Sequence, residues 1–179
     1  CTVTVTGALL PFSDLAAGAW YYDDMRFTTA KEILNGTGDG KMEPNGLVSW
    51  PAALQIVYNL AGRPEAESEI PNWYGAALAW AQANGLLDNL TFDADGAVGR
   101  AEMITLLYRF AQKKNQKLAA EANLDAFMDA NTVPEYAIEA ARWAVGCGIL
   151  KGDENQRLTP LVSLTRAQIA ALLRRYIEK

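Results

Sequence analysis

The sequence predicts an all-α fold, in which three tandem helix-loop-helix repeats form a pseudo-threefold helical bundle. One observation is a duplicated string: residues 163–169 near the C-terminus have a close copy at 98–103, and a third, damaged copy lies at 48–53. A second is the helical spacing of the apolar residues that follow each copy, and a third is a pair of aromatic residues that recurs upstream of each. Because such repeats cannot each bury an apolar face alone, we expect them to share one core.

Each string begins a helix. When Trp50, Arg100 and Arg166 are aligned, the apolar residues that follow have the spacing 0, 3, 4 and 7 in all three repeats. That spacing is typical of one face of an α-helix. The residues on this face are Ala53, Ile56, Val57 and Leu60 in the first repeat; Met103, Leu106, Leu107 and Phe110 in the second; and Ile169, Leu172, Leu173 and Tyr176 in the third.

A shorter helix is predicted upstream of each string. Two aromatic residues lie seven positions apart in every repeat, and two turns of helix would place them on one side. Gly85 and Gly148 follow this segment in the second and third repeats, where glycine suits a left-handed C-cap. The aromatic pairs are Trp20 with Phe27, Trp73 with Trp80, and Tyr136 with Trp143.

Turn-rich loops join the two helices of each repeat. The first loop, 35–44, and the third loop, 151–160, have the same spacing from glycine to proline, whereas the second loop, 88–96, is three residues shorter. We therefore expect the second loop to have a different shape. The predicted division of the chain is an N-terminal segment 1–11, repeat one with a degenerate motif at 12–62, repeat two at 63–112, a helical connector at 113–125 and repeat three at 126–179.

The core is predicted from the same registers. Apolar residues on the inner faces of the helices are expected to line one shared interior. They are Phe27, Trp80, Trp143, Ile56, Leu106, Leu107, Leu172 and Leu173.

Composition excludes several classes of function. A net charge of −5, from 16 basic and 21 acidic residues, argues against a general binder of nucleic acid or anionic membranes. No apolar run approaches the ~20 residues of a transmembrane helix. The chain has no histidine, which excludes Ser-His-Asp, Cys-His and His-rich zinc chemistry. We predict a protein that is not an enzyme and has no cofactor; a glycan hydrolase with a carboxylate pair is the catalytic alternative, although no motif singles out such a pair.

Acidic residues in the loops do not predict a metal site. Counted from Asp39 or from Asp93, the calcium-loop pattern fails at the third and twelfth or at the fifth position. Neither cysteine predicts a disulfide scaffold or a metal centre. Cys147 is expected to be a small buried thiol. Cys1 is either a lipidated N-terminus or the edge of a cut chain, from which we expect a signal peptide to have been removed.

Two arginines lie where helix electrostatics disfavour them. Thr165 as N-cap and Gln168 at N3 form a capping box, and Glu102 takes the same N3 role behind Gly99. Arg100 and Arg166 then fall at N1, where a cation is unfavourable by a few tenths to about 1 kcal/mol. An arginine beside free helix amides makes a strong anion site. A carboxylate ligand explains both residues; a pair with a nearby acid, such as Asp14 or Asp129, is the structural alternative.

These strings resemble a known family. The segments Phe12-Ser13-Asp14-Leu15, Trp20-Tyr21, 35–44 and Thr165-Arg166-Ala167-Gln168 are similar to the FxDV, WY, GxxDGxFxP and TRAE elements of the S-layer homology (SLH) domain. Arg100-Ala101-Glu102 and Phe127-Met128-Asp129 extend the match to the other repeats. The resemblance covers roughly residues 12–179 as three tandem copies, with Trp50-Pro51 in place of Arg-Ala in the first.

The resemblance implies a function. SLH domains typically anchor bacterial surface proteins to secondary cell-wall polymers, often ones with pyruvylated N-acetylmannosamine. It therefore implies an exported cell-surface anchoring module, located in the cell wall or S-layer and fused to or cut from a larger surface protein. The implied glycan-binding residues are Arg166, Arg100, Asp129, Asp14 and, as sugar platforms, Trp20, Trp73 and Tyr136.

Alternatives stay open at this point. Core packing is the other explanation of the three aromatic residues. Trp50 predicts that at most two of three sites work, and the third repeat, with both Asp129 and Arg166, is the best candidate. A structural or protein-interaction repeat module with decayed glycan sites is the second interpretation of the whole chain.

Overall fold

A computed structural model describes residues 12–116, 118 and 122–179. The predicted segment 1–11, with Cys1, and part of the connector lie outside the described residues. The described part is all-α, as predicted, with isolated β-bridges and no named strand. Its helices are α1 (Tyr22–Ala30), α2 (Trp50–Leu60), α3 (Gly75–Ala83), α4 (Arg100–Lys113), α5 (Ile138–Gly146) and α6 (Arg166–Glu178), with short 3₁₀ turns at Ala130–Thr132 and Glu135–Ala137.

The three long helices α2, α4 and α6 begin and face inward as predicted. Each starts at the residue aligned in the sequence, after an extended N-cap residue. Of the twelve apolar positions with helical spacing, all are buried except Leu60, which is half-buried. The local periodicity therefore decides which face of each long helix enters the shared core.

A closed ring of backbone hydrogen bonds gives the bundle its pseudo-threefold axis. The N–H of Val48 donates to the carbonyl of Leu164 (3.0 Å), Leu164 donates to Val98 (3.0 Å), and Val98 donates to Val48 (2.8 Å). All three side chains are buried. Because each residue precedes a long helix by two positions, the ring joins the three helix starts at one end of the bundle.

A second tier of these bonds shows the effect of Pro51. The N–H of Ala101 donates to Pro160 (2.8 Å) and that of Ala167 to Pro44 (2.9 Å). Pro51 occupies the equivalent position in the first repeat and has no N–H to donate. Helix α2 still forms, because proline is tolerated in the first turn.

The short helices pack between repeats. Helix α3 packs on α2, α5 packs on α4, and α1 closes the circle by packing on α6. The closing contact includes Arg174, which lies 3.1 Å from Asp24 on α1 and 3.1 Å from Glu178 on its own helix. Each repeat thus contributes its short helix to the neighbour that precedes it.

The short helices begin later than the aromatic pairs predict. Trp20, Trp73 and Tyr136 all lie before α1, α3 and α5. Trp20 and Trp73 are 66% and 65% exposed. The pairs therefore do not share a helix face, since the first member precedes the helix. Of the predicted core residues, Phe27 and Trp80 are only half-buried and the other six are buried.

The ends of the short helices match prediction. Gly85 and Gly148 have φ of +69° and +70°, and Glu32 takes the same left-handed place in the first repeat with φ of +56°. Backbone N–H groups beyond the glycines close the caps, from Leu86 to Ala81 (2.9 Å) and from Ile149 to Ala144 (2.8 Å). The left-handed cap recurs in all three repeats.

The predicted helical connector 113–125 lies partly outside the described residues. Of its described residues, none beyond Lys113 is helical, because Asn115 (φ +49°) turns the chain out of α4. Cys147 is half-buried rather than buried. No helix in the described ranges is both long and apolar enough to cross a membrane.

Candidate functional site

Asp14 and Asp129 clamp two of the loops. The two carboxylate oxygens of Asp14 accept the backbone N–H groups of Met42 (2.9 Å) and Glu43 (2.7 Å) in the first loop. Partial burial raises the pKa of Asp14, but these two hydrogen bonds and Lys41 outweigh it and bring the pKa below its ordinary value. In the third loop the matching bonds join Asp129 to Leu158 (2.8 Å) and Thr159 (2.8 Å).

An aromatic ring seats each clamped loop. A Cβ on Gly36 would lie 2.7 Å from the ring of Phe12, and a Cβ on Gly152 would lie 2.7 Å from the ring of Phe127. Glycine is required at both positions because the ring fills the space of a side chain. The first and third loops are therefore built alike, as their equal length predicts.

The second loop has a different shape, also as predicted. In the second loop region, 86–98, Asn89 has a left-handed backbone. In the first and third loops the left-handed residues include Glu43 and Thr159, whose N–H groups donate to Asp14 and Asp129. Trp50 occupies the position of the arginines and packs edge-to-face on Phe92 of this loop, with ring centroids 6.3 Å apart. At the second loop, an apolar contact between Trp50 and Phe92 thus takes the place of an arginine.

Arg166 enters the loop of the first repeat. Its Nε donates to the carbonyl of Met42 at 2.6 Å, and its Nη2 donates to the carbonyl of Asn35. The residue is buried, and burial lowers its pKa while Glu43 and Asp14 act in the opposite direction. The expected pair with an acid is therefore replaced by direct bonds to carbonyls, with the acids acting at longer range.

Arg100 faces the third loop and differs from Arg166. Its Nε is buried and has no hydrogen-bond partner. Burial lowers the pKa of Arg100, Asp153 and Asp129 oppose that effect, and Arg175 adds to it. The guanidinium is still charged at neutral pH. Within the part of the chain that the structure describes, no carboxylate lies within 4.0 Å of it.

Backbone amides at the two helix starts are not free. The N–H of Arg100 donates to Val162 (3.0 Å) and the N–H of Arg166 donates to Gly46 (2.9 Å). The following residue in each helix is also bonded, as part of the second tier described above. The expectation of free helix amides is therefore wrong for the first two amides of each helix, and the guanidinium group is the donor that faces the groove.

A cavity lies at Arg100, and we call it the Arg100 groove. Its volume is about 200 Å³, and the three repeats all contribute to it: Trp20 from the first, Arg100 from the second and 150–153 with α6 from the third. Its charged side chains are Arg100, Lys151, Arg175 and Asp153. Three cations against one acid give the groove a positive excess in a chain whose net charge is −5.

The other predicted sugar platforms lie elsewhere. Trp73 is exposed and makes an edge contact with Tyr74, at 5.4 Å between centroids. Tyr136 is half-buried; burial, and then the charge of Glu102, raise its pKa. The structure brings Trp20 and Arg100 into one groove, and Arg166, Asp14, Asp129, Trp73 and Tyr136 do not line it.

The capping residues make the bonds of a capping box. The hydroxyl of Thr165 accepts the N–H of Gln168 (3.3 Å), and the side chain of Gln168 accepts the N–H of Thr165 (3.1 Å). Glu102 accepts the N–H of Gly99 at 2.5 Å. These three side chains serve helix starts, although Gln168 also lines the groove.

Arg175 is a groove residue that the sequence patterns did not single out. Its Nη1 donates to the carbonyl of Ile149 at 3.3 Å. It lies nine residues after Arg166, just as Arg109 lies nine after Arg100. Extending the repeat alignment to polar positions would have matched it with Arg109 but would not have placed it in the groove. Among the described residues, no three Cys, Asp or Glu side chains are grouped so as to hold a metal ion.

Residues 11–49 and 126–170 match the family model of the S-layer homology domain. These two regions of the chain are S-layer homology (SLH) regions. The two matched regions include both clamped loops, with Phe12, Asp14, Phe127 and Asp129. The second repeat, with the shortened loop, lies between them, and the threefold ring is compatible with its being a third copy of the SLH plan.

Relatives of the SLH-containing chain are large proteins. It is 28% identical over 159 residues to the surface-layer 125 kDa protein of Lysinibacillus sphaericus. The aligned region covers 82% of this chain and 13% of that protein. It is 22% identical over 169 residues to an amylopullulanase of Thermoanaerobacterium thermosulfurigenes, covering 89% of this chain and 9% of the relative. An exoglucanase XynX of Acetivibrio thermocellus is also 22% identical, over 89% of this chain and 16% of its own length.

The chain therefore spans a small part of the curated relatives it matches. SLH domains are typically anchoring modules that bind cell-wall polymers and occur in larger surface proteins. The family and the surface-layer relative indicate association with the cell surface or cell wall. In relatives that are named as enzymes, the region similar to this chain is at most 16% of the protein.

Proposed function

We propose that this chain is a non-catalytic cell-surface anchoring module that binds an anionic, pyruvylated secondary cell-wall polysaccharide in the Arg100 groove. The observation that carries the proposal is the guanidinium of Arg100, which is charged, has a buried Nε without a partner, and lies in a positively charged groove beside the exposed Trp20. The proposal includes export to the cell wall and fusion to a larger surface protein.

A carboxylate is the ligand that this guanidinium lacks. A buried donor without a partner costs about 1–3 kcal/mol and more when it is charged. A carboxylate can accept two parallel N–H bonds from one guanidinium, which is the strongest common pairing of this kind. A pyruvate ketal carries such a carboxylate on a sugar ring. Binding of the polymer would therefore bring an acidic acceptor to a guanidinium whose Nε has no protein partner among the described residues.

Trp20 supplies the second half of a carbohydrate site. Its side chain is 66% exposed at the wall of the groove, although a tryptophan gains most from burial. The apolar face of a sugar ring would cover it while the carboxylate contacts Arg100. Arg166, Asp14, Asp129, Trp73 and Tyr136 stay predicted glycan-binding residues, with Arg166 already bonded to two carbonyls.

Retention on purified cell walls tests the proposal. We expect the wild-type chain to sediment with walls that carry the secondary polymer and to stay in solution with walls from which the polymer has been removed. Arg100→Ala should abolish retention, whereas Arg142→Ala, at an exposed position on α5 outside the groove, should not. Circular dichroism of both variants controls for folding. Equal retention on the two wall preparations, or full retention of Arg100→Ala, would overturn the proposal.

A protein-interaction module with decayed glycan sites is the second candidate. The observation that favours it is a set of exposed apolar residues near the ring of helix starts, Leu47, Leu161 and Val162. Trp50 in place of an arginine points the same way. Under this function the chain would bind walls independently of the secondary polymer, and Leu161→Asp would reduce that binding while Arg100→Ala would not.

A further inference from the structure

We propose that Arg175 is a second ligand-binding cation of the Arg100 groove, so that the groove selects ligands whose acidic group contacts two guanidinium groups at once. This inference deepens the proposed function and rests on it. It assigns a specificity role to a residue outside the repeated strings. The acidic group is a carboxylate on a sugar, as in the proposed polymer.

The two arginines reach the same cavity from different helices. Arg100 begins α4 and Arg175 lies in the last turn of α6, and both line the groove with Trp20. Their charges repel each other, and this repulsion contributes to the lowered pKa of Arg100. No carboxylate among the described residues lies within 4.0 Å of either guanidinium. The fold thus holds two cations on one groove, whose one acid, Asp153, forms an ion pair with neither of them.

The structural role of position 175 does not require a cation. In each repeat the equivalent side chain donates to the carbonyl that follows the short helix: Asn59 to Ile33 at 3.1 Å, and Arg175 to Ile149 at 3.3 Å. The second repeat has Arg109, which donates to Leu86 at 2.8 Å. Because asparagine performs this role in the first repeat, an amide suffices. The charge of Arg175 is therefore not explained by this hydrogen bond to the carbonyl of Ile149, which we call the latch.

Arg109 and Arg175 differ in their surroundings. Asp88 acts on Arg109 and opposes the lowering of its pKa by burial. Arg175 has instead the like charge of Arg100 as a neighbour in the groove. Two guanidinium groups that converge on one cavity are a typical arrangement for binding a carboxylate, since each oxygen can accept from a different arginine. Arg109 therefore provides a matched control for every substitution of Arg175.

Calorimetric titration with a defined sugar tests the inference. The probe is the methyl glycoside of pyruvylated N-acetylmannosamine, and its neutral counterpart is the methyl ester of the same ketal. We expect Arg175→Asn, which copies the residue of the first repeat, to weaken binding of the acid at least about tenfold. Arg109→Asn should leave binding within about twofold, because it lies outside the groove. Neither substitution should change binding of the ester by more than about twofold.

The outcomes separate this inference from the proposed function. If Arg100→Ala loses binding of the acid and Arg175→Asn retains it, Arg175 is a structural latch and the inference is overturned while the proposed function stands. If wild-type chain does not bind the acid more tightly than the ester, both fail. Arg175→Gln, with a longer amide, is the second variant should Arg175→Asn not fold, and the same loss is expected. Arg175→Lys should retain more affinity than either amide, because it keeps the charge.

Discussion

The Nε of Arg166 donates to the carbonyl oxygen of Met42 at 2.6 Å, across 124 residues of sequence. The same guanidinium also reaches the carbonyl of Asn35. These bonds fasten the first turn of α6 to the loop of the first repeat, whose helix α1 also packs on α6. Arg166 therefore helps to close the circle of three repeats, whatever further contact it makes.

Arg166→Met should destabilise the chain markedly. Removing the guanidinium leaves two loop carbonyls without their donor, and hydrogen bonds to a charged group are worth about 1.5–3 kcal/mol each. Since methionine recovers part of the packing, we expect a loss of about 2–4 kcal/mol in the free energy of unfolding, measured by urea denaturation.

Arg26→Met is the control for this loss. Arg26 is partly exposed and lies 3.8 Å from the exposed Asp23, and a solvent-accessible pair of this kind contributes about 0–1 kcal/mol. A loss at Arg166 no larger than that at Arg26 would contradict the role of Arg166 in closing the ring.

The bond between Arg166 and Met42 could not be predicted from the sequence. The inner faces of α2, α4 and α6, their N-caps and the caps at Gly85 and Gly148 were predictable, because each depends on residues within a few positions of one another. The sequence left open whether the arginines pair with Asp14 or Asp129 and favoured the third repeat, which has both Asp129 and Arg166, as the best site. The structure places Arg166 in the first loop and Arg100 beside the third.

The periodicity of the sequence carries no information about which repeat's loop each arginine enters. The first and third loops have equal length and equal clamps, so that local pattern alone fits either pairing. Which loop receives which arginine depends on the direction in which the ring of Val48, Val98 and Leu164 closes. Arg175 was missed for a related reason, because its place in the groove arises from the crossing of α6 with residues of two other repeats.

Asp14→Asn should change the response of stability to acid. The folded pKa of Asp14 lies below its ordinary value, so its ionised form stabilises the fold above about pH 4, and that contribution is lost as the pH falls through the folded pKa. Asparagine offers one acceptor oxygen to the two N–H groups of Met42 and Glu43 and does not titrate. We expect the variant to be less stable than wild type at neutral pH.

The difference in the free energy of unfolding between variant and wild type should narrow as the pH is lowered from neutral into the range below about 4, because the wild-type carboxylate becomes protonated there. Thermal unfolding followed by circular dichroism across that range measures it. Asp39→Asn, at an exposed position in the same loop, is the control and should follow the wild-type curve. A constant difference across the range would rule out the clamp as the titrating element.

Trp50→Ala should be among the most damaging substitutions in the first repeat. Trp50 is 3% exposed, begins α2 and packs on Phe92 of the second loop. Truncating a buried tryptophan costs about 3–5 kcal/mol, because the cavity is only partly refilled. Urea denaturation with the exposed Trp73→Ala as control, expected within about 0.5 kcal/mol of wild type, measures the difference. Similar values for the two variants would show that Trp50 is not a packing element of the second loop.

Thr165→Ala should cost about 1 kcal/mol, the usual contribution of a threonine N-cap. The hydroxyl of Thr165 accepts the N–H of Gln168, and alanine leaves that donor without its partner in the first turn of α6. Thr165→Ser keeps the hydroxyl and should remain within about 0.5 kcal/mol of wild type. Because the backbone of Thr165 bridges to Leu47, the helix start stays attached to the ring in both variants, so that unfolding should remain a single transition. Equal losses for alanine and serine in denaturant unfolding would show that the methyl group, rather than the cap, is what stabilises this end of α6.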